Sequence, residues 1–569
     1  MFVRFSFVFV IVNVVANLML SPPVAASSLR DSQSLICDQA FVPADGNYDF
    51  LATDNNLPSL TPRIRNIHIT RLPIFNEQDP KENNWLFRFA NRFHVLTTQT
   101  NIEQQLLFTT GDVYDPRIME ESARLLRQLS HLYDAGIRTV SVCEDEVELE
   151  VVTRDVWSLN LDISYGRSGG ENKHRFGISE SNLLGTGRRI SIASKKDSER
   201  ESTEIGYKDV NLFGTRIRGD IRYANADDGA DKLVSVNLPF FALDSKRAWG
   251  VRLQDNKRID KQYFRGHSVT EVDHKIEDFS THYGFSAGIR NGLTKRWRLG
   301  YRFRKDVFTP SDDLPPPTEK PRNTKLSYPF LQYEVVEDNY TTSSNLNEIQ
   351  RTEDLHLGYF FHASFGYAAK GFGSDVDRFV FSGQFRDTLI YNNKILLQHS
   401  LNGRGLWNKD KETSEDVVLS YDIKYFRSQT EKRSFFAQLS TVLTRNLNSN
   451  QQVLLGGSTG ARGFNNRYQD GDRRVVLTLE ERQYTEYHLF NLAYLGFAGF
   501  IDIGRAWNPD VDDGLEDKLL ADVGFGLRLA STKADSNRII HIDIAFPITN
   551  RNQPDVDGYQ LVVRIKDSL

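Results

Sequence analysis

From Trp157 to the end of the chain, apolar and polar residues alternate with a period of two. Trp157, Leu159, Leu161, Ile163 and Tyr165 alternate with Ser158, Asn160, Asp162 and Ser164. Ile217, Gly219, Ile221 and Tyr223 alternate with Arg216, Arg218, Asp220 and Arg222, and Trp297, Leu299, Tyr301 and Phe303 with Arg298, Gly300, Arg302 and Arg304. Near the end, Tyr559, Leu561, Val563 and Ile565 alternate with Gln560, Arg564 and Lys566. Successive side chains of a strand point to opposite faces, so each run offers one apolar and one polar face. A soluble sandwich would hide the apolar face in a core, but so many repeated hairpins exceed what a sandwich needs. The polar face also carries Arg, Asp and Glu at consecutive positions, which a wide, water-filled barrel lumen accommodates more simply. The runs number roughly 20 candidate strands, some of which, between Thr352 and Arg427, read as hairpins rising above the barrel.

Upstream the pattern differs. Ile64, Ile67, Ile69 and Leu72 suggest a strand. Ile102, Leu106 and Leu107 suggest a short helix ended by Gly111. Asp115-Pro116 caps a second helix, with Met119, Ala123, Leu126, Leu129 and Leu132 at helical spacing and Gly136 as its stop. Two strands follow, Arg138–Cys143 and Glu146–Arg154. This β-α-α-β-β order makes residues 62–156 one small α+β domain, ahead of an all-β barrel over 157–569.

The first 26 residues read as a secretory signal: Arg4, an apolar run from Phe5 to Leu20, then the small residues Val24, Ala25 and Ala26. Residues 27–61, rich in Asp, Asn, Ser and Pro, read as a polar leader. The apolar run is short for a spanning helix and no later stretch approaches 18 apolar residues, so a membrane role falls to strands. Only 39% of residues are hydrophobic, which suits strands with alternate apolar positions, and 37 Phe, 22 Tyr and 6 Trp suit the aromatic girdles of a membrane barrel. These features together place the chain in a bacterial outer membrane, its N-terminal domain in the periplasm. Polar stretches at Asp306–Lys325, Asp338–Arg351 and Ala506–Lys518 then read as extracellular loops. A net charge of −5 leaves no electrostatic footprint for nucleic acid. The oxidising periplasm allows, without requiring, a disulfide between Cys37 and Cys143. The 12 His form no metal-ligand pattern, so neither metal nor cofactor is implied.

The most specific stretch runs from Gly456 to Phe464: Gly-Gly-Ser-Thr-Gly-Ala-Arg-Gly-Phe. Gly456, Ser458 and Gly460 match the G-x-S-x-G of hydrolases, but that motif needs a strand-turn-helix context that the strand-like flanks do not supply. A catalytic residue is therefore not assigned, and the chain does not read as an enzyme. Gly456, Gly457, Arg462, Gly463 and Phe464 instead resemble the conserved loop of the BamA/TamA family of outer-membrane assembly factors, which folds back into the barrel lumen. Asn182-Leu183-Leu184-Gly185-Thr186-Gly187 resembles that family's second-strand turn, and Phe500-Ile501-Asp502-Ile503-Gly504 its Phe-x-Asp-x-Gly strand. Residues 62–156 resemble a single polypeptide-transport-associated (POTRA) domain. The resemblance implies a barrel of about 16 strands, five of them after the loop. The chain departs from the family in having room for one such domain and in ending without a terminal aromatic residue.

Alternation puts Glu480 and Asp502 on the inward face. A guanidinium entering the lumen needs a carboxylate, because an unpaired, desolvated charge is costly, and the arginine fork can bind one through two parallel bonds. The expectation is that Arg462 pairs with Asp502, with Glu480 as a second acceptor and Gly504 nearby. Gly463 would let the backbone pass close to the wall, and Phe464 would wedge against it.

Resemblance implies a protein that inserts or translocates other proteins. Its partners would be outer-membrane lipid, unfolded outer-membrane or exported protein clients, and a periplasmic partner at the POTRA domain. A client would add to a strand edge of that domain and to an opening seam between the first and last barrel strands. A two-partner-secretion-type export pore for one dedicated substrate is an alternative, although residues 27–61 lack a convincing plug helix. A passive channel or surface receptor is another, although it has no need of the N-terminal domain.

Overall fold

The computed structural model describes residues 41–50, 62–143, 145–197, 199–343, 352–392, 394–430, 432–490, 492–509, 518–531 and 538–567. The signal, most of the leader and Cys37 lie outside them. Cys143 is disulfide-bonded.

In the N-terminal domain, β1 (Arg63–Leu72) is followed by α1 (Trp85–Phe93), α2 (Gln99–Glu103), α3 (Pro116–Arg127), β2 (Leu132–Cys143) and β3 (Glu146–Asp155). The sheet order is β1-β3-β2, with β3 parallel to β1 and antiparallel to β2. Asp115 caps α3 by accepting from the Arg117 amide, with Pro116 in the first turn. The apolar stripe of α3 (Met119, Ala123 and Leu126) is buried, and Ile64, Ile102, Leu149 and Val151 complete the core. Two sequence readings are corrected. The helix ends at Arg127, and Gly136 lies within β2, because Leu132 is the first buried residue of the strand rather than the last of the helical stripe. A third helix, α1, was not expected. The described part of the leader is a strap across the sheet: Ala44 N donates to Glu150 (2.8 Å) and Phe41 stacks on His68.

The remaining strands are β4 (Leu159–Ser168), β5 (Glu171–Glu180), β6 (Arg189–Lys196), β7 (Glu201–Leu212), β8 (Ile217–Ala226), β9 (Gly229–Leu238), β10 (Arg247–Phe264), β11 (His267–Arg290), β12 (Leu293–Pro310), β13 (Thr324–Glu337), β14 (Tyr340–Ser343) and β15 (Glu353–His356). They continue with β16 (Phe360–Ala368), β17 (Arg378–Tyr391), β18 (Ile395–Asn408), β19 (Thr413–Thr430), β20 (Arg433–Arg445), β21 (Val453–Leu455), β22 (Gln469–Gly471), β23 (Arg473–Leu489), β24 (Ala493–Trp507), β25 (Leu520–Ser531), β26 (Arg538–Pro547) and β27 (Gln560–Asp567). All but two small hairpins, β14–β15 and β21–β22, join one closed antiparallel barrel of 20 strands, which corrects the expectation of about 16. The count from alternation was closer than the count from resemblance. The runs between Thr352 and Arg427 read as raised hairpins are mostly wall strands, β16 to β19. Five barrel strands follow the Gly456–Phe464 stretch.

Outward side chains form an exposed apolar belt, including Phe176, Ile192, Ile221, Leu299, Phe365 and Phe525. An apolar surface of this extent calls for a non-aqueous surrounding. The polar faces line the lumen, as the pairing of Arg302 with Asp278 and of Arg304 with Asp306 illustrates.

The N-terminal domain docks on the strand turns at one end. Asn182 Nδ2 donates to Thr97 (2.9 Å), Asn101 Nδ2 to the Thr186 carbonyl (2.8 Å), and the Leu243 amide to Glu121 (2.7 Å). Arg127 grips Asp354 through two bonds, and Arg124 lies 3.7 Å over the Tyr340 ring. The described part of the stretch read as an extracellular loop at 338–351 is therefore at the domain's end of the barrel, a further correction. Polarity marks a loop but not the rim to which it belongs.

His131 sits in this joint against Gly187, where an added Cβ would come within 2.9 Å of its ring. Burial holds its pKa down to about 4, partly countered by Asp155 and reinforced by His94. The folded state thus favours neutral His131. The corresponding stability is complete above about pH 6.5 and drains away as pH falls toward 4, by up to about 3 kcal/mol. Denaturant titration of the full chain at pH 7 and pH 4.5 should show a smaller acid-induced loss in His131→Gln than in the wild type.

Candidate functional site

Between β20 and β23 the chain turns inward rather than crossing the rim. Its glycines permit the path. Gly456 and Gly460 have φ of 125° and 116°, a region costly for residues with a Cβ. At Gly463 an added Cβ would stand 2.6 Å from the Asp522 Cβ, so only glycine lets the backbone run this close to β25. Phe464 is 1% exposed and packs with Leu455, Ala461, Tyr468, Val476 and Leu520.

These contacts carry Arg462 into a buried cluster of charge. Its Nε donates to Asp502 Oδ2 (2.6 Å) and its Nη2 to Asp502 Oδ1 (3.1 Å), a two-bond grip. Nη1 reaches Asp543 Oδ2 (3.0 Å) and Glu480 Oε2 (3.3 Å). The guanidinium also lies 3.3 Å from the centre of the Phe500 ring. Arg482 Nε bonds Glu480 at 2.8 Å, while Arg528 bonds Asp543 through Nη1 and lies 3.2 Å from Glu480 through Nη2. Thr478 donates to Asp502 at 2.7 Å. Three arginines thus face three carboxylates, all buried, and a fourth buried carboxylate, Asp522, stands opposite Asp502 in the β24–β25 register.

Sequence reasoning named Arg462, Asp502 and Glu480, which the structure brings together, but missed Asp543 and Arg528. Their inward parity was readable from Ile542-Asp543-Ile544 and Leu527-Arg528-Leu529. At Gly504 an added Cβ would lie 3.2 Å from Leu455, so this glycine makes room for the inward segment. Asn182, Gly185 and Gly187 lie away from this cluster, in the docking turn of the N-terminal domain.

The loop is also tied to the first and last barrel strands. Asn466 N donates to the Gly169 carbonyl (3.0 Å), Asn466 Nδ2 to the Ser168 carbonyl (2.7 Å), and Arg467 pairs with Glu171 (2.6 Å). Gln560 and Arg564 of β27 bond Asn465 and the Gly457 carbonyl. The ladder between β27 and β4 is sparse: among the described residues its register has one pair, Val563 with Arg167. The loop therefore bridges from inside the seam that the strands themselves join weakly. On the other side of the lumen, a cavity of about 890 Å³ remains, lined in part by Arg298, Arg302, Arg304 and Arg404.

Fold and site together define a closed barrel whose lumen is occupied by a loop pinned to the last strands. No family model matches the chain. Solved structures similar to it include CdiB from Escherichia coli (TM-score 0.45, 12% identity, covering 89% of this chain and 76% of that one). CdiB from Acinetobacter baumannii gives 0.44 at 12% identity over 89% and 74%. BamA from Haemophilus ducreyi lacking POTRA domains 1-3 gives 0.39 at 12% over 89% and 85%. At such distance the likeness carries no functional argument.

Removing Arg462 leaves three buried carboxylates with two arginines. Arg462→Met should cost about 3–5 kcal/mol, the usual penalty for breaking a buried ion pair. The measurement is the denaturant midpoint of the purified barrel, with protease cleavage within 456–468 as a readout of loop release. Arg462→Lys should recover only part, lacking the two-bond fork. Exchanging Arg462→Asp with Asp502→Arg should also recover little, since the new carboxylate would face Asp543 and Glu480.

Proposed function

We propose that this protein is a bacterial outer-membrane barrel that inserts or translocates other proteins, with its POTRA-like N-terminal domain in the periplasm. The apolar belt suits a bilayer, and the polar lumen suits a barrel rather than a solid core. The observation that carries the reading is the seam. Among the described residues, nineteen of the wall's neighbouring strand pairs are joined by ladders of seven or more register pairs, and the β27–β4 junction by one. A closed barrel spares backbone groups from standing unpaired in lipid, so a junction this thin is the place where a client strand can add. An edge of the N-terminal sheet receives the client first, and client folding drives the process. The Arg462 loop holds the lumen shut while the seam is idle.

A disulfide across the seam tests this. Paired residues in an antiparallel ladder lie close enough for one. In Arg167→Cys with Val563→Cys, oxidation should abolish insertion of a client barrel into proteoliposomes. Reductant should restore it, against a wild-type control given the same reductant. Full activity in the cross-linked protein would refute an opening seam. Profiling outer-membrane and secreted proteins after deletion separates the uses: loss of several barrels indicates assembly, and loss of one exported protein indicates dedicated secretion.

A further inference from the structure

Outside the barrel belt, large exposed apolar side chains gather on α1, whose sequence is Trp-Leu-Phe-Arg-Phe-Ala-Asn-Arg-Phe. At about 100° per residue, Trp85, Phe89, Phe93 and Leu86 fall on one arc, Ala90, Phe87 and Asn91 on the next, and Arg88 and Arg92 on the third. The middle arc does the packing. Phe87 is buried and stacks on Phe75 with ring centres 4.0 Å apart, beside Ile74 and Trp157. Asn91 exchanges two hydrogen bonds with the Phe75 backbone, at 2.9 and 3.1 Å. The first arc is left outside: Trp85 is 72% exposed, Phe93 64%, and Leu86 and Phe89 51% each. Both arginines are exposed as well.

The position of α1 says what covers that arc. Trp157, against which the helix packs, lies at the foot of β4 on the strand's outward parity. Just beyond the helix, Thr98 N donates to the Gly185 carbonyl (2.8 Å), in a turn whose Leu184 is 72% exposed. The outward belt begins at once above these residues, at Leu159, Ile178 and Ile190. The apolar arc is thus continuous with the surface that faces lipid.

We propose that α1 is an interfacial anchor seated in the inner leaflet of the bilayer that holds the barrel. Its Trp85, Leu86, Phe89 and Phe93 lie at the acyl boundary, and Arg88 and Arg92 reach phospholipid phosphates. An aromatic face flanked by arginines is the composition of helices that lie in a membrane surface, and Trp favours that depth. The anchor holds the N-terminal domain beside β4, one wall of the seam. This inference rests on the membrane reading above.

Tryptophan quenching by bromine-labelled phospholipid separates the two. The full chain is reconstituted into phosphatidylethanolamine–phosphatidylglycerol vesicles with brominated acyl chains. The contribution of Trp85 is taken as the difference from Trp85→Phe, and that of the outward Trp297 as the difference from Trp297→Phe. The expected result is bromolipid quenching of both. Substituting Phe89→Ser with Phe93→Ser should then abolish the quenching of Trp85 and leave that of Trp297 intact. If Trp297 is quenched while Trp85 responds only to aqueous acrylamide, as for a water-exposed or protein-binding face, the anchor is wrong and the membrane reading stands. If neither is quenched, both fail.

Discussion

Inside the barrel, Arg462, Arg482 and Arg528 meet Glu480, Asp502 and Asp543 with little exposure to solvent. Charges in that setting must be matched, because a buried charge without a partner costs several kcal/mol. Five of the six belong to the wall strands β23 to β26, and the sixth arrives on the loop. The wall is therefore electrostatically incomplete until the loop folds in. That requirement explains the glycines around it. Gly456 and Gly460 permit the turn inward, and Gly463 permits the approach to β25. It also explains the burial of Phe464, which packs the loop against Val476 and Leu520 of the wall.

The consequence reaches the seam. The same loop that completes the charge cluster bonds the tip of the first hairpin through Asn466 and Arg467 and the last strand through its contacts with Gln560 and Arg564. The weakest junction of the wall is thereby braced by an element anchored on stronger ones. Loop and seam share these bonds, so a change in the charge cluster alters the brace. The N-terminal domain docks at the opposite end, where its Thr97 and Glu121 accept from Asn182 and Leu243 of the barrel turns.

Much of this was legible in the chain. Strict alternation located the wall strands because a membrane barrel sorts apolar and polar residues by parity with few exceptions. It also placed Glu480 and Asp502 inward. What alternation cannot supply is register across several strands. Asp543 and Arg528 have the same inward parity, but only the staggered pairing of β24, β25 and β26 brings them level with Arg462. Strand number was misjudged for a related reason: hairpins between Thr352 and Arg427 carry the same pattern whether they rise above the rim or complete the wall. The helix α1 escaped notice because it is only nine residues long and its apolar positions are divided between a packed arc and an exposed one. The Asp338 stretch was polar enough to mark a loop, yet its side of the barrel depends on the parity of the strand count.

The central claim is that the pinned loop keeps the lumen shut in the resting protein. Single-channel recording of the full chain in planar bilayers tests it directly. The account predicts a closed state interrupted by brief, irregular openings. A steady, fully open conductance from every inserted molecule would contradict it.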